Sequence, residues 1–134
     1  DGGNTPLSVA QWKALGYDAN STFSPCGTRP SGSVTLDPNA YDTNRANLII
    51  SNLSGSPTVS VNLGSFLNNG DSFEIHNAQD YYGPLVASGT YNGPVTINMN
   101  GLTVATPVGY NSTMTPLAQM TSGPQFGAFI LIKK

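Results

Sequence analysis

The chain has 134 residues, enough for one domain with a real core. Charged residues make up 9%, against roughly 25% in ordinary soluble domains, and a net charge of −2 is too small for the self-repulsion that keeps chains disordered. The five cations, Lys13, Arg29, Arg45, Lys133 and Lys134, are too scattered to form a phosphate-binding stripe, which argues against a nucleic-acid partner, and no stretch approaches the roughly 20 apolar residues of a membrane span.

Ser, Thr, Asn and Gly take the place of the missing charges. A surface of hydroxyls and amides suits an extracellular protein, so secretion is the expectation from composition. The opening Asp1-Gly2-Gly3-Asn4 reads as a mature or excised end, with no signal peptide at its head. The single cysteine, Cys26, sits in a Ser24-Pro25-Cys26-Gly27 loop; it has no internal partner and reads as an incidental thiol. Asn20, Asn52 and Asn111 each open an N-x-S/T triplet, a pattern that chance makes common in so Asn-, Ser- and Thr-rich a chain.

In chain order, the first element is a short helix. Ser8 and Gln11 have the spacing of a capping box, Leu7 and Trp12 occupy the staple positions around it, and Gly16 is placed as a left-handed stop. Trp12 and Leu15 are expected to plug this helix onto the rest of the domain. Residues 17–33 read as a connecting loop. From there the period is two: Ser33–Leu36, the β-branched run Ala46–Ile50, then Val59, Val61 and Leu63 alternating with polar residues, as in strands with one wet face.

A turn at Asn68-Asn69-Gly70-Asp71 precedes alternation in Phe73–His76. Another at Tyr91–Pro94 precedes Val95, Ile97 and Met99, and Phe126–Ile132 closes the chain as a more continuously apolar strand. Seven or eight short strands with turn chemistry between them predict an all-β fold, a two-sheet antiparallel sandwich with one N-terminal helix. Val59, Val61, Phe73, Ile75, Val95, Ile97 and Phe129 are its expected core. The boundaries expected are an arm over residues 1–33 and a sandwich over 34–134.

The blocks "RANLIISN" from Arg45, "TVSVNL" from Thr58, "LNNGDSFEIHNAQDYYGPLVASGTYNGPVTINM" from Leu67 and "FGAFILI" from Phe126 resemble the C-terminal β-sandwich accessory domains of secreted bacterial carbohydrate-active proteins. The likeness is to the all-β domain that follows an α-amylase-type barrel, and to domains that follow right-handed parallel β-helices. "SVAQWKALGYDANS", Ser8 to Ser21, is similar to the closing stretch of such β-helix proteins. Residues 100–125 depart from the short hairpin of that pattern and form a longer Thr-, Pro- and Gly-rich excursion. The resemblance implies an accessory role beside a neighbouring domain.

No catalytic set stands out, and a non-enzyme is expected. Glu74 and Asp80 are the one carboxylate pair placed to converge, although a turn Asp and a solvent-facing Glu are the commoner fate of such residues. His76 has no Gly-x-Ser-x-Gly elbow to serve, and nothing around Cys26 favours a thiolate. No cofactor is expected. Structural calcium is compatible with the hard oxygens of Asp and Asn in loops such as Asp37–Asn44, which also read as plain turns.

The remaining lead is a glycan. Asn77, Gln79, Asp80, Tyr81 and Tyr82 form the densest grouping of aromatic and short polar side chains. Sugar rings stack their C–H faces on flat side chains while amides and carboxylates take the hydroxyls. Adjacent residues in extended chain face opposite ways, so one tyrosine is expected in the core and the other exposed as a platform. The leading expectation is thus a non-catalytic accessory module, with weak polysaccharide binding or a scaffold role. Its rival is a structural subunit of an extracellular fibre or surface layer, joined by strand donation to an open edge.

Overall fold

The computed structural model describes residues 6–23, 32–109 and 121–134. Cys26, Arg29 and Asn111 lie outside them, so the expectations attached to those residues fall outside the described structure. The fold is all-β. Seven strands among the described residues form two antiparallel sheets, preceded by helix α1 (Val9–Ala14).

The large sheet has the order β1 (Ser33–Pro38), β2 (Arg45–Ser51), β7 (Phe126–Lys133), β4 (Ser72–Asn77), β5 (Ala87–Thr90). The small sheet pairs β3 (Thr58–Val61) with β6 (Val95–Asn98). Register follows the alternation in the sequence. Leu48 lies opposite Phe129 and Ile75 opposite Leu131, so the apolar residues of three neighbouring strands share one face. Against that face the small sheet sets Val61 and Ile97, and Leu63, Leu67, Tyr91 and Met99 fill the ends. Each fully buried side chain of this size contributes on the order of 1.5–3 kcal/mol, and this shared core is what holds the two sheets together.

Of the expected core residues, Val61, Phe73, Ile75, Ile97 and Phe129 are buried, while Val59 and Val95 pack at its margin. Gly127 is part of the same fit. It sits on the inner face of β7, where a Cβ would come within 2.5 Å of the Phe129 ring.

β5 was not expected from the sequence. Ala87-Ser88-Gly89-Thr90 has neither β-branched density nor an apolar period, and its ladder to β4 supplies what its side chains lack. Gly89, at φ +151°, faces Phe73 across that ladder.

The amino-terminal segment departs from expectation. Its capping box is formed: Gln11 N–H donates to Ser8 Oγ at 3.2 Å and Ser8 N–H to Gln11 Oε1 at 2.8 Å. Gly16 takes the left-handed conformation, at φ +83°. Yet α1 buries none of its residues. Trp12, 39% exposed, packs on Tyr17 with ring centroids 4.9 Å apart and donates its indole N–H to Asp18 at 2.8 Å. The expectation that Trp12 and Leu15 plug into the sandwich is therefore corrected. Local partners satisfy the indole, and Leu7, Val9, Leu15, Tyr17 and Phe23 remain exposed.

Candidate functional site

The loop Asn77–Gly83 leaves the end of β4 and is held by its own polar side chains. Asn77 continues the inward face of β4 and is 3% exposed; it donates to the Thr103 carbonyl at 2.6 Å and accepts from Gln79 N–H at 3.1 Å. Gln79 Oε1 accepts from both the backbone and the hydroxyl of Ser122, at 3.2 and 3.0 Å, while its carbonyl takes the Ala105 N–H. Asp80 accepts the Thr103 hydroxyl at 2.6 Å, and its carboxylate fills the space where a side chain at Gly83 would stand.

These three residues, picked out as hydrogen-bond partners for a sugar, are thus engaged in pinning β4 to the segments 102–105 and 121–123. A buried amide must find its partners within the protein, and Asn77 has done so.

The tyrosines divide differently from the expectation. Tyr82 is exposed, at 96%, and free to act as a platform. Tyr81 is only half-buried and does not join the core; its ring stacks on His76, centroids 4.6 Å and planes 21° apart, and meets Tyr82 edge-on at 5.1 Å. The correction has a simple cause. Alternation holds along a strand, but 78–83 is a chain of turns that folds back over the outer face of β4.

His76 stands on that outer face. Its Nδ1 lies 2.9 Å from the Tyr81 carbonyl oxygen and its Nε2 3.4 Å from Glu74. Glu74 also holds Lys134 at 2.8 Å, and the Lys134 contact, reinforced by His76, keeps its carboxyl below the usual value. Glu74 and Asp80 are therefore committed to different partners. At the neighbouring turn, Lys133 contacts Asp71 at 2.6 Å and, with the Asn68 N–H, lowers its pKa. In Asp37–Asn44, Asn39 Oδ1 accepts from the Tyr41 and Asp42 amides and Asp42 Oδ1 from the Asn44 amide, as in ordinary Asx turns.

Beside the loop lies a groove of about 140 Å³, missed in the sequence reading. Pro84, Leu85 and Leu102 give it apolar lining, and Asn98, Asn100 and Thr103 polar lining. Asn98, the last residue of β6, and Asn100 flank the buried Met99 and are both exposed. That flanking is the signal which, in the sequence, was absorbed into a strand's wet face and a turn.

Among the family models, curated proteins and solved structures compared with this chain, none matches.

Proposed function

We propose that the chain is a non-catalytic accessory module of a secreted carbohydrate-active protein, seated on a neighbouring domain through its amino-terminal arm and contacting glycan weakly at the β4–β5 loop end. The observation that carries this reading is the helix. A two-turn helix is not stable on its own in water, yet this one is fully capped and exposes Leu7, Val9, Leu15 and part of Trp12. Such a surface calls for a partner, and a domain preceding the sandwich is the partner nearest in the chain. The resemblance of Ser8–Ser21 to the closing stretch of β-helix proteins supports the same choice. The low charge and hydroxyl-rich composition support an extracellular setting.

The glycan half of the reading rests on Tyr82, the one fully presented ring of the loop. Binding through one ring and a few hydrogen bonds belongs in the millimolar to high-micromolar range, roughly −4 to −7 kcal/mol.

The experiment compares this chain alone with a longer polypeptide carrying the preceding domain. As the only tryptophan of the chain, Trp12 reports directly. Its emission is expected to shift to the blue, and its quenching by iodide to fall, when the neighbour is present. Equal wetness in both would remove the docking reading.

A structural subunit of a fibre or surface layer is the second reading, favoured by one feature. Among the described residues, β1 and β5 each leave one edge unpaired in the large sheet, and β3 and β6 each pair on one side only. Light scattering and electron microscopy of the purified chain decide it: filaments support the subunit, a 14.0 kDa monomer the module.

A further inference from the structure

We propose that the groove between the turn at Pro84–Val86 and the segment Asn98–Thr103 is a subsite for one neutral sugar residue, with the side-chain amides of Asn98 and Asn100 as its hydrogen-bonding wall. This rests on the glycan half of the proposed function and moves the contact from the tyrosine pair to the groove beside it.

The first support is a difference in burial within one loop cluster. Asn77 is buried with its amide nitrogen and oxygen both engaged, and the half-buried Gln79 and Asp80 each commit an oxygen, to Ser122 and Thr103 respectively, whereas Asn98 and Asn100 are exposed. Among the described residues Asn98 uses only its oxygen, accepting the Asn100 N–H at 3.0 Å, and its NH₂ group meets no protein partner there. The Asn100 side-chain amide has no hydrogen-bond partner among the described residues. Two donors and an acceptor are therefore presented side by side on one wall, the inventory that a vicinal pair of sugar hydroxyls satisfies.

The second support is the apolar part of the lining. Leu85 is exposed, and with Pro84 and Leu102 it sets apolar atoms in the same groove as the amides. Binding sites combine such a surface with a few convergent polar groups. The third is charge. No ionisable side chain lines the groove, so a carboxylate- or phosphate-bearing ligand would find no counter-charge there. Its small volume fits one ring, not a chain. Pro84 is two residues from Tyr82, whose ring is exposed.

A larger groove, about 370 Å³, opens where β5 faces β6 over Phe73. It is the weaker candidate. Ser88 and Thr90 lie opposite Glu74 and Ser72 in the ladder, so their hydroxyls leave by the outer face.

The test is a two-dimensional amide NMR titration of the full 134-residue chain with cello-, xylo-, manno- and maltohexaose, and with polygalacturonate as a charged comparison. Movement of the Asn98 and Asn100 side-chain signals and of Gly101 with a neutral hexaose is expected. Asn100→Ala should then weaken binding about tenfold while leaving the melting temperature unchanged, the scale of one or two lost hydrogen bonds. Shifts confined to Tyr81 and Tyr82, with affinity untouched by Asn100→Ala, would overturn the groove and leave the glycan reading standing. A response to polygalacturonate as strong as to the hexaoses would overturn the neutral-ligand assignment. No shift with any of the five would remove the groove and the glycan reading together.

Discussion

The phenol ring of Tyr81 lies flat over the imidazole of His76, 4.6 Å between centroids, and the backbone carbonyl of the same tyrosine meets His76 Nδ1 at 2.9 Å. A carbonyl oxygen only accepts, so this contact places the hydrogen on Nδ1. Ring and carbonyl together fasten the loop 78–83 to the outer face of β4. Tyr81→Ala removes the stacking but keeps the backbone contact, and should cost about 0.5–1.5 kcal/mol, as aromatic pairs do. Tyr82→Ala should leave stability unchanged, because that ring rests in solvent. Thermal unfolding of both variants checks this. Loss of the fold in Tyr81→Ala would mean that the ring belongs to the core after all.

Inside the sandwich the scale is larger. Ile75 is fully buried between the sheets, and Ile75→Ala should cost about 2–5 kcal/mol through lost transfer energy and the cavity left behind. Val95 sits at the margin of the core, and Val95→Ala should cost less than Ile75→Ala. Urea titrations give both values. Equal costs would mean that the margin is as tightly packed as the centre.

The contrast between Ile75 and Gly89 shows what was legible in the sequence. Alternation exposes the inward face of β3, β4 and β6 because side-chain direction in a strand is set by parity alone. It is silent on β5, where Gly89 carries no side chain to be patterned and pairing with β4 makes the strand. Trp12 marks the second limit. Its cap is written locally in Ser8 and Gln11, but whether the helix it belongs to meets the sandwich depends on distant surfaces. Asn77 marks the third. An amide in a loop looks the same in sequence whether it faces a ligand or, as here, the Thr103 carbonyl. So the fold was largely readable and the site was not, since side-chain partnerships across the loop end join segments 23 to 43 residues apart.

Asn52 carries the same lesson at the other end of the sheet. It is 3% exposed and donates to the carbonyls of Ser56 and Pro124, each at 2.7 Å. Asn52→Ala leaves both acceptors without their donor and should cost about 1–3 kcal/mol, read from the urea midpoint. It also follows that the folded protein withholds Asn52 from an oligosaccharyl group, whereas Asn20 is exposed in its turn. Glycopeptide mapping after folded-state modification should find sugar at Asn20 and none at Asn52.

Acid should loosen the carboxy-terminal end of β7 first. Asp71 is held below its ordinary pKa by Lys133, and Glu74 by Lys134 with help from His76. For a carboxylate with a depressed folded-state pKa, the unfolded chain binds the proton more readily. The contribution is therefore complete above the ordinary values of 3.8 and 4.5 and fades as pH falls through the lower folded-state values. Lys133→Met should flatten the acid limb of a stability–pH curve below about pH 4: the variant is slightly less stable at pH 7, by a small amount since exposed pairs are weak, and the two curves converge in acid. An unaltered acid limb would show that Asp71 is not coupled to folding through Lys133.

The arm and the sandwich should respond separately. Ser8→Ala removes the side chain that receives the Gln11 amide, a loss worth about 0.5–2 kcal/mol to the helix. Since α1 buries nothing, that cost should stay within the arm: the far-ultraviolet helix signal should fall while the melting temperature of the sandwich holds. Trp12 offers the complementary reading. Partly wet in the native chain, its emission should move little across the main unfolding transition and respond instead to Tyr17→Ala and Asp18→Ala, the two groups it touches. A large red shift coincident with sandwich melting, or a melting temperature lowered by Ser8→Ala, would show the arm packed on the sheets and would remove the exposed surface on which the docking proposal stands.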